Sequence, residues 1–248
     1  MNPIAIASIV FACVFGGALL GILLHRLLPE HHLGSDSKDI VKLGMGLVGT
    51  MAALVLGLLV ASAKGSYDAQ STELTQMSAN IALLDRVLAH YGPEADEPRA
   101  LLRAAVERLL DLLWPRAGAA PSAPPAAGEA LYEKIQALSP KSDAQRAMQS
   151  LASGLAVDIG RTRWLMYAQT TTSVSRPLLI VLILWLSAIF VSFGLFAPFN
   201  TTVVASLFVS ALSVSGAIFL ILEMYAPYAG LIQISSAPLR AALEHLGQ

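Results

Sequence analysis

The stretch "LVGTMAALVLGLLVASAKGSYD", residues 47–68, decides the fold class of this chain. It belongs to an uncharged run from Leu43 to Ala63 that Lys64 closes. A run of roughly 20 apolar residues crosses the hydrocarbon core of a bilayer as a helix. Small side chains at four-residue spacing let such a helix approach a neighbour closely. We therefore predict a membrane span that carries a helix-packing ridge, made of Gly49, Ala53, Gly57, Ala61 and Gly65.

Three further uncharged runs of similar length occupy residues 4–24, 178–196 and 201–222. The chain is 55% hydrophobic and only 13% charged, whereas soluble domains carry about 25% charged residues. Backbone groups in lipid must be satisfied within each segment, so these runs are predicted to be helices. The predicted fold class is an all-α integral membrane protein with four transmembrane helices. Residues 1–63 form one transmembrane hairpin, with helices 4–24 and 43–63, and residues 177–222 form the second.

Four spans place the N-terminus, residues 64–176 and the C-terminal tail on one side of the membrane. Basic residues close to the spans mark the cytoplasmic side of membrane proteins. That side holds five of them, against three on the other: Lys64, Arg161, Arg163, Arg176 and Arg240 oppose Arg26, Lys38 and Lys42. Both termini and the long segment are therefore expected in the cytoplasm.

The cytosolic insert, residues 64–176, is predicted to be helical. Apolar residues alternate spacings of three and four after Lys64, which is typical of a coiled-coil seam. The seam consists of Leu74, Met77, Ile81, Leu84, Leu88 and Tyr91. The second span should therefore continue as one helix to about Tyr91, where Gly92 and Pro93 supply a stop.

Three more cytosolic helices follow. The first covers residues 98–113, with Leu102, Val106, Leu109 and Leu113 on its apolar face and Arg99, Arg103, Glu107 and Asp111 on the opposite face. An Ala/Pro-rich stretch, residues 117–128, is predicted to be a flexible linker, and a short helix covers residues 129–138. The last helix starts after Ser142 as N-cap, with Gln145 reaching back, and its apolar side carries Met148, Leu151, Leu155, Ile159 and Met166. Residues 223–248 are predicted to be an amphipathic tail along the membrane or under the bundle.

Two groups of residues are candidate functional sites besides the ridge. Ser206, Ser210 and Ser213 share one face of the fourth span, and they either pack against a neighbour or line a hydrated path. Lys64 and Arg176 flank the membrane, and they either anchor helices at headgroup level or attract anions to a channel mouth. No carboxylate lies within a span, which argues against an ion-coupled transporter.

No motif supports catalysis. The five histidines form no metal-binding spacing with the single cysteine, Cys13, and the sequence has no nucleophile elbow, phosphate loop or dinucleotide fingerprint. We expect no enzymatic activity, no catalytic residue, no metal, no cofactor and no nucleic-acid partner.

Five segments resemble the bacterial bestrophin-like membrane family. They are "NIALLDRVLAHYGPE" (80–94), "LYEKIQALSP" (131–140), "FGLFAPFN" (193–200), "LSVSGAIFLILEM" (212–224) and "GLIQISSAPLRAAL" (230–243). The resemblance implies location in a bacterial inner membrane. It also implies an analogy with bestrophins, which are pentameric, four-span anion channels whose second span forms the pore. Residues 43–66 contain no aromatic residue and the tail offers only Glu223 and Glu244, so calcium gating is not part of the expectation.

Two functional hypotheses follow. The first is a homo-oligomeric membrane protein that conducts anions passively, as the bestrophin resemblance implies. The alternative is a membrane-anchored scaffold or signalling protein whose cytosolic bundle binds a soluble partner through the coiled seam. Lipid and further copies of the chain are the expected partners in the membrane.

Overall fold

Helices make up the regular structure of this chain. The computed structural model describes residues 2–29, 35–115, 127–170 and 175–247, and it describes only the backbone at 35–37, 127–128, 167, 169–170 and 176. The elements are α1 (Pro3–Leu27), α2 (Ser35–Tyr91), α3 (Asp96–Leu113), α4 (Ala127–Gln136), α5 (Asp143–Thr170), α6 (Arg176–Phe196), α7 (Thr201–Met224) and α8 (Ala237–His245).

The four predicted spans lie in α1, α2, α6 and α7, and these four helices are long and apolar enough to cross a membrane. The all-helical membrane fold is thus confirmed. α2 begins at Ser35, eight residues before the predicted start at Leu43, and continues without a break to Tyr91. It ends where the sequence predicts: Gly92 adopts φ 125° and Pro93 opens a single 3₁₀ turn. A residue with a Cβ is strained at this φ, so glycine suits the stop.

The chain divides into two compact units. Unit 1 comprises Met1–Ser66 and Ser173–Tyr225, and unit 2 comprises Tyr67–Thr172 and Ala226–Gln248. α2 contributes residues to both units, so its first half is described with α1, α6 and α7, and its second half with α3, α4, α5 and α8.

In unit 1, glycines bring α1 and α6 into close contact. A Cβ added at Gly21 would overlap the carbonyl oxygen of Val191 and lie 2.9 Å from the Leu195 nitrogen. A Cβ added at Gly194 would likewise overlap the carbonyl oxygen of Ala18. Each helix therefore presents a glycine to a backbone carbonyl of the other, as in membrane helix pairs held by small residues. The sequence analysis did not identify Gly194 as part of this contact.

The helices of unit 1 run in alternating directions. The His25 ring donates from Nδ1 to the Leu195 carbonyl over 2.7 Å, so α1 and α6 end at the same side. At the opposite side, the hydroxyl oxygens of Ser62 and Tyr225 lie 3.1 Å apart, which places α2 alongside the end of α7. α7 packs on α1 through three aromatic rings with centroids 5.4–5.6 Å apart: Phe11, Phe15 and Phe208.

In unit 2, the predicted seam forms the centre of the core. Each of its six residues is at most 3% exposed: Leu74, Met77, Ile81, Leu84, Leu88 and Tyr91. They are covered by side chains of the same chain, from α3 (Leu102, Val106), α4 (Leu131, Ile135), α5 (Leu155, Met166) and α8 (Leu239, Ala242). The seam is therefore an internal surface of unit 2, and the prediction that it offers a docking surface for a partner loses its structural basis.

Some finer predictions for unit 2 are wrong. Arg99 does not lie on a solvent face of α3, because its guanidinium donates to both carboxylate oxygens of Asp85 over 2.8 and 3.1 Å. The predicted apolar face of α3 is confirmed, by contrast, because Leu109 and Leu113 pack half-buried against the core that contains Leu102 and Val106; Leu110 is buried as well. On α5, Leu151 is 51% exposed. α4 begins at Ala127 and so takes the last two residues of the predicted linker, whose first ten residues lie outside the described part of the chain.

The C-terminal tail is an integral part of unit 2. Leu239, Ala242 and Leu246 are at most 5% exposed in its core. Arg103 donates to the Leu246 carbonyl, and the Gly247 amide donates to the buried Asp85.

The cap predicted for α5 is also present: the Gln145 amide donates to the Ser142 hydroxyl, while the Gln145 side chain accepts from the Lys141 amide.

Replacing Gly21 with alanine should destabilise unit 1. The new methyl group meets backbone atoms of α6, and overpacking of this kind costs about 1–3 kcal/mol. Gly16→Ala is the matched control, because a Cβ there has nothing within 4 Å. Both changes raise helix propensity equally. Thermal unfolding of the full-length protein in detergent should therefore show a lower midpoint only for Gly21→Ala, and equal midpoints would contradict the close contact.

Removing Arg99 should destabilise unit 2 more than removing the whole ion pair. The Asp85 and Arg99 side chains are only 8% and 19% exposed, and the hydrogen bonds from Arg99 to Asp85 raise the pKa of the guanidinium. Arg99→Met leaves a buried carboxylate without its cation, at a cost of about 3–5 kcal/mol. The double variant Asp85→Leu with Arg99→Met should recover most of this loss in urea unfolding. A double variant as unstable as the single one would refute the interpretation.

Candidate functional site: the outward face of α2

The membrane-spanning part of α2 has little contact with the rest of unit 1. In its most apolar 18-residue window, only 11% of the residues are buried, compared with 33% in α1, 33% in α6 and 22% in α7. An apolar helix in a membrane can be covered by lipid or by another protein chain. The surface of α2 is therefore the largest unpartnered helix surface among the four spans.

Three residues define the side of α2 that faces its own chain. Ala52, Leu59 and Ala63 are at most 5% exposed. Their spacings of seven and four residues place them within about 40° of one another on a helix that turns about 100° per residue. The opposite direction, about 180° away, belongs to Ala61, nine residues after Ala52. We call the half of α2 around Ala61 the outward face.

From Ala53 onward, the predicted ridge lies on this outward face. Gly49 is half-buried, with Ile189 Cδ1 3.9 Å from the position of an added Cβ. Ala53, Gly57, Ala61 and Gly65 are exposed, and a Cβ at Gly57 or Gly65 would have nothing within 4 Å. Within the part of the chain that the structure describes, the ridge is therefore uncovered beyond Gly49, which leaves it open to a helix of another copy or another protein.

Larger residues share the outward face with the ridge. Leu47, Leu54 and Leu58 are 66%, 70% and 64% exposed, and with Thr50 they lie within about 60° of the Ala61 direction. Ridge and leucines make one surface, uncharged from Leu43 to Ala63. Its hydroxyl at Thr50 bonds to the Gly46 carbonyl of the same helix.

The predicted channel mouth is described only at Lys64. Lys64 is exposed and follows directly after the uncharged run. It lies near the side of unit 1 where Ser62 meets Tyr225 at the end of α7. The backbone of Arg176 begins α6, and its side chain lies outside the described part of the chain.

The serine stripe of α7 also faces away from the chain. Ser206, Ser210 and Ser213 are all exposed, and the Ser213 hydroxyl donates to the Val209 carbonyl of its own helix. The packed serine of this helix is Ser215, which is 4% exposed and donates to the Ala211 carbonyl. The stripe thus has no packing role within its own chain, and both readings of it, as an intermolecular contact or as a hydrated path, stay predictions.

A second feature of interest is a cavity of about 400 Å³ inside unit 2. It lies among α2, α3, α4 and α5, with lining residues that include Met77, Leu109, Tyr132, Val157, Arg163 and Trp164. Volumes of this order are typical of small-molecule sites. The sequence analysis did not predict the cavity, because its walls come from four helices whose mutual packing is not readable from spacing within each one.

One comparison identifies the family of this chain. A family model described as Bestrophin-like domain matches residues 11–239, which begin within α1 and end within α8. Neither the curated proteins nor the solved structures contain a match to this chain. The match extends over most of the 248 residues and agrees with the resemblance of the five sequence segments. The chain therefore belongs to the bestrophin-like family.

Proposed function

We propose that this protein is a homo-oligomeric membrane channel that conducts anions passively, with α2 of each copy lining the path. The observation that carries the proposal is the uncovered span of α2. In a single chain, α1 packs on both α6 and α7, while only 11% of the residues in the most apolar part of α2 are buried.

The chemistry of the outward face favours further copies over lipid alone as its cover. Gly57, Ala61 and Gly65 have little or no side chain, and open space surrounds the two glycines. Lipid chains gain nothing from a row of small residues, whereas a neighbouring helix gains close backbone approach and van der Waals contact. In a ring of copies, this outward face would both line the axial path and contact the α2 helices of the neighbouring copies.

An apolar path is compatible with passive conduction. Hydrophobic constrictions in channels gate by dewetting, and charged rings at a mouth select the sign of the ion. The outward face supplies Leu47, Leu54 and Leu58 for the first role, and Lys64 follows at one end for the second. The spans contain no Asp or Glu between Leu43 and Ala63 or between Pro177 and Leu222, so an intramembrane carboxylate for coupled transport is missing.

We further propose that unit 2 and both termini lie in the cytoplasm of a bacterium whose inner membrane holds unit 1. The support is the basic residues near the spans and the alternating helix directions, since α1 runs with α6 and α2 with α7. Membership in the bestrophin-like family supports a channel over an enzyme.

The alternative function is a membrane-anchored scaffold or signalling protein. The buried seam no longer supports it, but the cavity in unit 2 does, because an apolar pocket with a half-buried Arg163 in its lining offers a place for a regulatory ligand or a partner side chain. The two functions differ in whether the intact oligomer conducts.

Cysteine crosslinking should locate the contact between copies. In a Cys13→Ser background, Ala61→Cys lies on the outward face, while Ala63→Cys, two residues away at similar depth, is fully buried against its own chain. Oxidation in membranes should link copies through Ala61→Cys and leave Ala63→Cys monomeric on denaturing gels. Identical behaviour of the two variants would contradict an α2 contact between copies.

Liposome flux should test conduction. Purified protein should release chloride under a gradient, and Lys64→Glu should lower the anion-to-cation permeability ratio by about fivefold, since reversing an exposed charge changes the local interaction by on the order of 1 kcal/mol in water. Lys64→Arg is the control and should keep the ratio. A silent oligomer of unchanged size would remove the channel proposal and favour the scaffold.

A further inference from the structure

A second cavity, of about 620 Å³, lies in unit 1 beside the first turns of α2. Its wall on the α2 side contains Lys38, Lys42, Gly46 and Gly49. The opposite wall comes from the C-terminal part of α6 and the N-terminal part of α7. This cavity borders the outward face at Gly46 and is separate from the cavity in unit 2.

The two ends of this cavity differ in chemistry. At one end, Lys38 and Lys42 lie one helical turn apart on the same side of α2. Lys38 is half-buried, and the Lys42 ammonium lies 3.8 Å from an Asp39 carboxylate oxygen. Among the side chains that the structure describes at this end of α2, two lysines and one aspartate leave one positive charge in excess. Deeper along the helix, the lining on the α6 and α7 side is mostly apolar and includes one serine: Ile189, Ser192, Phe193, Phe196 and Leu207.

The position of the lysines along α2 matches the depth of lipid headgroups. Lys42 directly precedes Leu43, where the uncharged run begins. Lysines at such a boundary hold their ammonium groups at the level of the lipid phosphates. Gly46 and Gly49, one and two turns further, have no side chains, and a Cβ at Gly46 would have nothing within 4 Å. The space beside them is therefore open to a slender apolar chain.

We propose that this cavity binds an anionic phospholipid, with its phosphate at Lys38 and Lys42 and an acyl chain between the α2 glycines and Phe193. Basic pockets between membrane helices recognise lipid headgroups through this combination of charge and depth. A free anion would engage the lysines alone and leave the wall of Phe193 and Leu207 uncovered. A zwitterionic lipid would fill the apolar part but gain less from the excess positive charge.

The test is lipid retention by the full-length protein, measured by native mass spectrometry after exposure to equal amounts of phosphatidylglycerol and phosphatidylcholine. The wild type should retain phosphatidylglycerol preferentially. The double variant Lys38→Gln with Lys42→Gln should lose most of this preference, by up to about thirtyfold, which corresponds to two lysines at about 1 kcal/mol each near a membrane surface. Lys38→Arg with Lys42→Arg keeps both charges and should keep the preference.

A second variant tests the acyl part of the site. Gly46→Leu adds a side chain into open space and should reduce retention of both lipids while oligomer size and thermal midpoint stay at wild-type values. Excess inorganic phosphate should not displace the lipid. Equal retention of the two lipids by the wild type, unchanged preference in the double glutamine variant, or full displacement by phosphate would each overturn the proposal. So would an oligomer that retains no lipid, which would indicate that another copy covers the cavity.

Discussion

The glycine contact between α1 and α6 is the constraint on which the arrangement of unit 1 depends. Membrane helices have no hydrophobic force that pushes them together in lipid, so close packing requires small residues at matched positions. Gly21 meets the Val191 carbonyl and Gly194 meets the Ala18 carbonyl. Because α1 packs on α6 on one side and on α7 through Phe11, Phe15 and Phe208, the span of α2 keeps most of its surface uncovered.

α2 therefore has one surface that is buried within the chain and another that is exposed. Its seam from Leu74 to Tyr91 is buried completely by helices of the same chain in unit 2. Its membrane span presents Leu54, Gly57 and Ala61 outward in unit 1. The strongest coiled-coil pattern in the sequence thus has an internal structural role, and the uncovered surface of α2 lies in the membrane part of the helix. Residues of α2 with similar hydrophobicity are therefore buried in one part of the helix and exposed in another, depending on which helices of the chain pack against them.

Much of the fold was predictable from the sequence, because spans and helix ends are encoded locally. Uncharged runs mark α1, α2, α6 and α7, Gly92 and Pro93 end α2, and Ser142 and Gln145 start α5. Features that depend on two distant segments were not predictable. The position of Arg99 depends on Asp85 of α2, to which its guanidinium donates. The role of Gly194 depends on its close contact with Ala18 of α1. The outward direction of the ridge could not be predicted for the same reason, since small residues permit close packing but do not specify which helix packs against them.

The family and the uncovered α2 together favour a ring of copies around an axial path. The measurement that tests this most directly is a cryo-electron microscopy map of the full-length protein purified in detergent. We predict a closed ring in which the α2 helices surround an axial opening, with the outward face around Ala61 turned toward the axis and the neighbouring copies. A monomer, or an assembly in which the outward face of α2 meets only detergent, would contradict it.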